Sequence, residues 1–237
     1  MARNIFKIIA IFIVGIVGGI FADQILWPYF VERPLFFKYK LEQSPVYVTE
    51  EKEIYIQENT GLQEVIEKVN KAVIGIKTET KSQKILEGSG LIVTSDGLIV
   101  TLANLLPKSS TTTLFLDGKT IIPKVIQIRE NLALLRIEGG DLPTLNFSDF
   151  DKLKLGQRIF LVGVIFEESV PQKIVNEGII KYFDQDLLIY TSIFENKNLE
   201  GSALFDIQGS ILGLNTINQE GEIVTIPISK IKEFLGF

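Results

Sequence analysis

Gly88-Ser89-Gly90-Leu91-Ile92-Val93-Thr94-Ser95-Asp96-Gly97-Leu98-Ile99-Val100-Thr101 is the stretch whose reading decides the fold. Its two halves are apolar and rich in β-branched residues, which suit a pleated, half-buried surface better than the crowded turn of a helix. Asp96-Gly97 between them tolerates the left-handed backbone of a tight hairpin. The stretch therefore reads as strand, turn, strand, with Ile85 to Thr94 first and Leu98 to Thr101 second.

The same device recurs outward from it. Ala72 to Thr78 precedes it as a strand, Thr111 to Leu116 and Thr120 to Ile128 flank a second turn at Asp117-Gly118, and Asn131 to Ile137 completes a first group. After the turn-rich Gly139-Gly140-Asp141-Leu142-Pro143, a second group begins at Arg158 to Ile165 and Ile174 to Phe183. It continues through Leu187 to Ile193, Ala203 to Ile207, Ser210 to Thr216 and Glu222 to Ile226. Short strands at this spacing indicate sheets or barrels rather than alternating α/β units. Helices are expected only at the margins. An amphipathic one opens at Thr60, with Leu62, Val65, Ile66 and Val69 at helical spacing, and a short one closes the chain over Ser229 to Phe237.

Composition narrows the chemistry. Of 237 residues none is His and none is Cys, which removes disulfides, thiolate catalysis, thiolate zinc sites and the commonest remaining transition-metal ligand. No Asp/Glu spacing resembles a calcium loop, so no metal and no cofactor is expected. The formal net charge is -5 and no run of Lys/Arg forms a nucleic-acid footprint, so nucleic acid is not an expected partner.

Met1 to Lys7 is a short basic tail, and Ile8 to Ala22 carries no charge. Counted from Ile5, with Lys7 snorkelling, the apolar run approaches the ~17 to 25 residues needed to span a bilayer. Trp27, Tyr29 and Phe30 follow where an interfacial aromatic belt would lie. A cleaved signal peptide competes with this reading. Cleavage after Ala22 would place Ile20 where a small residue is preferred, so an uncleaved anchor is expected. Arg3 and Lys7 before the span are balanced by Arg33, Lys38 and Lys40 after it, so basic residues do not set the orientation. The reading is an N-terminus in the cytoplasm and the bulk outside. Gly15 and Gly19, echoed by Gly18 and Ala22, form a small-residue groove through which two such helices could dimerise. Residues 28 to 59 alternate aromatic and charged side chains, with Pro34 and Pro45 breaking any long helix, and read as an extended arm.

At these strands the chain resembles the bacterial trypsin-like serine proteases of the HtrA/Deg kind. The stretch Gly88 to Thr101 matches their pattern, in which the catalytic histidine stands three positions after the last Thr; here that position is Asn104. Asn131-Leu132-Ala133-Leu134-Leu135-Arg136-Ile137 resembles the strand that opens on their catalytic aspartate, and here it opens on Asn131. Leu153 to Gly163, Glu177 to Ile180, Ile211 to Thr216 and Ile226 to Ile228 resemble strands of the second barrel. The nucleophile motif falls on Asn198-Leu199-Glu200-Gly201-Ser202-Ala203-Leu204, with Glu200 at the nucleophile position.

The resemblance implies an all-β, trypsin-like double β-barrel of two six-stranded barrels, preceded by an N-terminal transmembrane helix. Residues 1–27 would form tail and anchor, 28–59 the arm and 60–237 the domain. Within it the first barrel covers about 72–138, the second about 156–228, and the C-terminal helix 229–237. Since the chain stops soon after the last strand, the family's PDZ extension is not expected.

The resemblance also implies lost chemistry. An amide at Asn104 cannot act as a general base, Asn131 cannot stabilise an imidazolium, Glu200 brings negative charge to an oxyanion site, and Asn198 replaces a motif glycine of the oxyanion loop. Ser202 with Lys197 is the one pair that could replace them. The expected function is a membrane-anchored, extracytoplasmic pseudoprotease that binds or scaffolds a protein or peptide. The alternatives are a divergent endopeptidase with a non-standard dyad, and a structural subunit of an envelope assembly with the arm as its contact.

Overall fold

The computed structural model describes residues 2–27, 61–195 and 197–236, and the arm expected over 28–59 lies outside them. The chain divides into two units, Met1–Ile56 and Gln57–Phe237. In the first, α1 (Ala2–Phe21) runs on into a π-helical turn, Ala22–Leu26. Arg3–Leu26, 24 residues, is long and apolar enough to cross a membrane, with a mean hydropathy of 2.6 over an 18-residue window within it. At 1.5 Å per residue it measures about 36 Å, against a hydrocarbon core of about 30 Å.

The second unit opens on α2 (61–70), whose Val69 is fully buried. Seven strands follow: β1 (Val73–Glu79), β2 (Ile85–Ile92), β3 (Leu98–Leu102), β4 (Thr111–Leu116), β5 (Lys119–Ile121), β6 (Lys124–Arg129) and β7 (Leu132–Arg136). They form one antiparallel sheet in the order β5-β4-β1-β2-β3-β7-β6. Asp117 and Gly118 both take positive φ, 47° and 73°, which gives the β4–β5 hairpin the twist its strands need. Six more strands, β8 (Arg158–Glu167), β9 (Val170–Phe183), β10 (Ile189–Thr191), β11 (Ala203–Asp206), β12 (Ile211–Ile217) and β13 (Ile223–Pro227), close into a barrel. α3 (Ile228–Leu235) ends the domain, burying Ile228, Ile231 and Phe234.

The second barrel is closed and six-stranded as expected, but the first is not. The segment expected to be one strand, Thr120 to Ile128, is two, since β5 and β6 are separated by Ile122 and Pro123. Pro123 has no N–H to give to a ladder and holds its φ near −65°, so the strand bends there. Its first part pairs with β4 and its second with β7. The sheet curls without closing.

One apolar cluster joins the two halves. Ile74, Ile76, Leu91, Ile99 and Leu135 of the open sheet pack with Phe160, Phe205 and Leu214 of the barrel, and Phe160 stacks on Phe205 at 5.4 Å. A second cluster, with Leu161, Ile189, Leu204 and Leu212, fills the barrel interior. Polar ties cross the same boundary. The Lys173 ammonium donates to Asn70 O at the end of α2 (2.7 Å) and to Val73 O on β1. Although its stem is exposed, this head group is turned inward, and burial, against the opposing attraction of Asp117, lowers its pKa to about 8.

Ser89 of β2, fully buried, is the most connected of these ties. Its N–H donates to Glu200 O (2.8 Å), its carbonyl accepts from Thr101 Oγ1 (2.7 Å), and its hydroxyl accepts from Val164 N (2.8 Å) on β8. Replacing Ser89 with Ala should strand the Val164 N–H inside the core and cost about 1–3 kcal/mol, read from urea unfolding. An unchanged midpoint would show that the hydroxyl is not the tie.

Candidate functional site

Asn104 stands in a 3₁₀ turn, Ala103–Leu105, that begins where β3 ends. Leu105 and Leu106 anchor the turn in the core, while Asn104 itself is exposed. Asn131 occupies the β6–β7 turn, and its carbonyl accepts from the Ala103 N–H (2.9 Å), so the two turns are joined through the backbone. Glu200 lies on the loop that leads into β11.

That loop is held at both ends. Leu199 is fully buried in the barrel cluster, and the Gly201 N–H donates to Asn215 O at 2.8 Å. Gly201 has φ +75°, and a Cβ there would collide with the Ser89 carbonyl, so only glycine lets the loop approach β2 this closely. Beneath the loop, Ser202, Asn215 and Thr225 form a buried chain of hydrogen bonds: Asn215 Nδ2 donates to Ser202 Oγ (2.9 Å) and Thr225 Oγ1 donates to Asn215 Oδ1.

The structure thus brings together two of the three positions singled out from sequence. Asn104 Nδ2 donates to Glu200 Oε2 at 2.6 Å, which ties the open sheet to the barrel across the groove between them. A carboxylate accepting from an amide is a stable polar contact; the amide itself cannot act as a general base, and the carboxylate oxygen it binds is engaged by it. The groove at this point is a cavity of about 400 Å³ lined by residues 84–87 with Asn104, Leu105, Asn198 and Glu200. Asn131 lines a different cavity, of about 270 Å³, with Arg129, Lys230 and Phe234.

Asn198 does more than its sequence position suggested. Its Oδ1 accepts from the Glu200 N–H (3.2 Å), and its Nδ2 donates to the Glu87 carbonyl (3.0 Å). The Glu200 amide is thereby held within the loop. The signal was present in the sequence. Asn readily bonds the backbone two residues ahead, and Asn198 stands two before Glu200.

Lys197 and Ser202 do not meet. The Lys197 ammonium pairs with Glu167 (3.1 Å) while half exposed, and Ser202 is wholly buried on the far side of the loop. A dyad needs the lysine desolvated and aimed at the hydroxyl, and this geometry provides neither.

The trypsin-like peptidase domain matches this chain over residues 88–214. Among curated proteins, a probable periplasmic serine endoprotease, DegP-like, from Halomonas elongata is 28% identical over 137 residues, covering 54% of this chain and 29% of that protein. The corresponding protein of a Marinomonas strain is 30% identical over 139 residues, again 54% and 29%. A serine protease of the HTRA kind from Xenopus tropicalis is 29% identical over 193 residues, 73% of this chain and 42% of its own. The chain therefore spans less than a third of the bacterial relatives it matches. Among solved structures, the serine endoprotease of Yersinia pestis superposes with a TM-score of 0.65 at 19% identity, covering 74% of this chain and 65% of that one. An HtrA-type protease solved with a tripeptide gives 0.64 at 21% identity, covering 74% and 62%. At these identities the structures establish a common fold.

If Asn198 caps the loop as described, Asn198→Gly should leave the Glu200 amide open to water. Its hydrogen exchange, followed by NMR, should then quicken about fivefold to tenfold, the loss of one hydrogen bond of ~1 kcal/mol. An unaltered exchange rate would mean that the amide is protected by something other than Asn198.

Proposed function

This chain belongs to the trypsin-like peptidase domain family, and we propose that it is a membrane-anchored, extracytoplasmic pseudoprotease that binds a protein or peptide rather than cleaving one. The observation that carries this reading is the Asn104–Glu200 hydrogen bond, in which the positions of base and nucleophile are spent on each other. Asn131 at the aspartate position lacks the charge that would steady an imidazolium, and no histidine exists anywhere in the chain to receive that help. The capped Glu200 amide removes a donor on which a tetrahedral intermediate would depend.

What remains is a surface. The cavity bounded by residues 84–87, Asn104, Leu105, Asn198 and Glu200 is large enough for one or two side chains of an extended segment, and its walls offer amide and carboxylate groups. Binding there needs no residue that turnover would need. The apolar helix Arg3–Leu26 and relatives described as periplasmic endoproteases support an anchored domain outside the cytoplasm. The reading includes dimerisation through Gly15 and Gly19, on the strength of their small-residue spacing.

The purified full chain should leave unfolded casein intact. Restoring all three side chains together, Asn104→His, Asn131→Asp and Glu200→Ser, should still give cleavage at background because the amide cap persists, and the first turnover should appear only when Asn198→Gly is added. Casein cleavage by the natural chain would overturn the proposal, and cleavage by the triple variant would overturn the role given to Asn198.

The anchor is tested separately. The mature protein should keep Met1 to Ala22, remain with membranes through high-salt and alkaline washes, and require detergent for release. A mature N-terminus at Asp23, found by mass spectrometry on a soluble protein, would remove it.

A further inference from the structure

A cavity of about 260 Å³ lies on the barrel, bordered by Tyr182, Tyr190, Phe194, Glu220 and Glu222 among others, and it shares no residue with the groove at Asn104 and Glu200. Its size falls just short of the ~300 Å³ at which sites for whole small molecules begin, so it suits one long side chain. β9 and β10 place Tyr182 directly opposite Tyr190, and the two rings stack at 4.3 Å with 12° between their planes. One face of Tyr182 is thereby covered, yet the residue remains 43% accessible, and Phe194 on the same cavity is 78% accessible.

Hydrogen bonds set both walls in advance. The Ser192 N–H donates to Ile179 O (2.9 Å) and Asn176 Nδ2 donates to Phe194 O (3.1 Å), which fixes one wall against β9. Asn218 Oδ1 accepts from the N–H groups of Glu220 (3.0 Å) and Glu222 (2.9 Å), which fixes the β12–β13 turn as the other. The charge between them is one-sided. Glu195, Glu220 and Glu222 line the cavity against a single cation, Lys181, and among the described residues neither Glu220 nor Glu222 forms an ion pair. Tyr182 registers this field: burial first, and then its neighbours Tyr190, Glu222, Asp184 and Glu220, raise its phenol above the ordinary value. An aromatic face ringed by carboxylates attracts a cation twice over, through the ring and through charge-assisted hydrogen bonds. A guanidinium answers both better than an ammonium, being planar, more weakly hydrated and able to stack while it donates in its own plane.

We propose that this cavity binds an arginine side chain of an extended protein segment. The guanidinium lies over the open face of Tyr182, its N–H groups donate to Glu220 and Glu222, and the residue next to the arginine covers Phe194. This is a second contact for a partner, apart from the groove at Asn104 and Glu200, and it holds whether or not the chain cleaves protein.

The test titrates the full chain, in micelles of a neutral detergent, with the peptide acetyl-Ala-Ala-Arg-Leu-Ala-Ala-amide and follows binding by calorimetry. One peptide per chain should bind, with a Kd of about 100 μM. Citrulline in place of the arginine keeps the shape and loses the charge, and should weaken binding about tenfold or more; lysine in its place should weaken it about threefold. Tyr182→Ala should cost about threefold to fivefold, and Glu220→Gln with Glu222→Gln about tenfold, while Lys181→Gln, which removes the competing cation, should tighten binding about twofold. All four side chains are exposed, so these variants should fold. Glu64→Gln with Glu67→Gln, an equal loss of charge on exposed positions of α2, should leave the affinity within about twofold. No binding at about 1 mM peptide, equal binding of the arginine and citrulline peptides, lysine preferred to arginine, an affinity indifferent to the Tyr182 change or to the Glu220 and Glu222 changes, or an equal loss from the α2 pair would each overturn the proposal.

Discussion

The domain depends on how closely the backbone of one half can approach the other at Ser89. Three of its polar groups are engaged within 3 Å, one reaching the Glu200 loop, one reaching β8 and one receiving Thr101 from its own sheet. A buried polar atom left without a partner costs more than the bond itself contributes, so these contacts fix the halves in a single relative position. Gly201 is the counterpart of this constraint, because any side chain there would push the loop off the Ser89 carbonyl. Gly88 shows the same closeness, since a Cβ on it would stand 2.7 Å from Glu200 O and 2.6 Å from Leu105 Cδ1.

This arrangement separates the atoms that hold the fold from the side chains that face the groove. The groups that hold the loop are backbone amides, glycines and the buried Ser202–Asn215–Thr225 chain, while Asn104, Asn131 and Glu200 sit on turns with their side chains reaching solvent or one another. Exposed turn residues contribute little to stability, so their identity can change without loosening the core. Site and scaffold use different atoms of the same loop. Glu200 contributes its carbonyl to the scaffold and its carboxylate to the groove.

Most of the strands were legible because β-branched runs between Asp-Gly turns leave few other readings, and their placement in two groups followed from the turn-rich stretch at 139–143. The open first sheet was not legible. Thr120 to Ile128 alternates well enough for one strand, and only the three-dimensional demand that it serve β4 with one end and β7 with the other makes Pro123 a break. At the site, Asn104 and Glu200 were marked by what they replace in a resembling motif, yet their contact with each other spans 96 positions and leaves no local trace. Asn131 was marked equally well and turned out to border another cavity. Ser89 passed unnoticed as a strand residue, since nothing in a Gly-Ser-Gly sequence says that a loop more than a hundred residues later will come to rest on it.

The position of α2 has a bearing on the order in which the domain is made. Val65 and Val69, near the start of the unit, lie against Gly209 in the turn between β11 and β12, close to its end. A growing chain therefore presents this apolar helix face long before its seat exists, and the first sheet must wait, half-covered, for strands that complete its core from the other side. Closure of such distant contacts is slow, and surface bared in the interval invites association with whatever is near. A turn synthesised late is the one that shelters α2, so a chain interrupted before Gly209 would lack not only its tail but the cover for the helix that opens the domain.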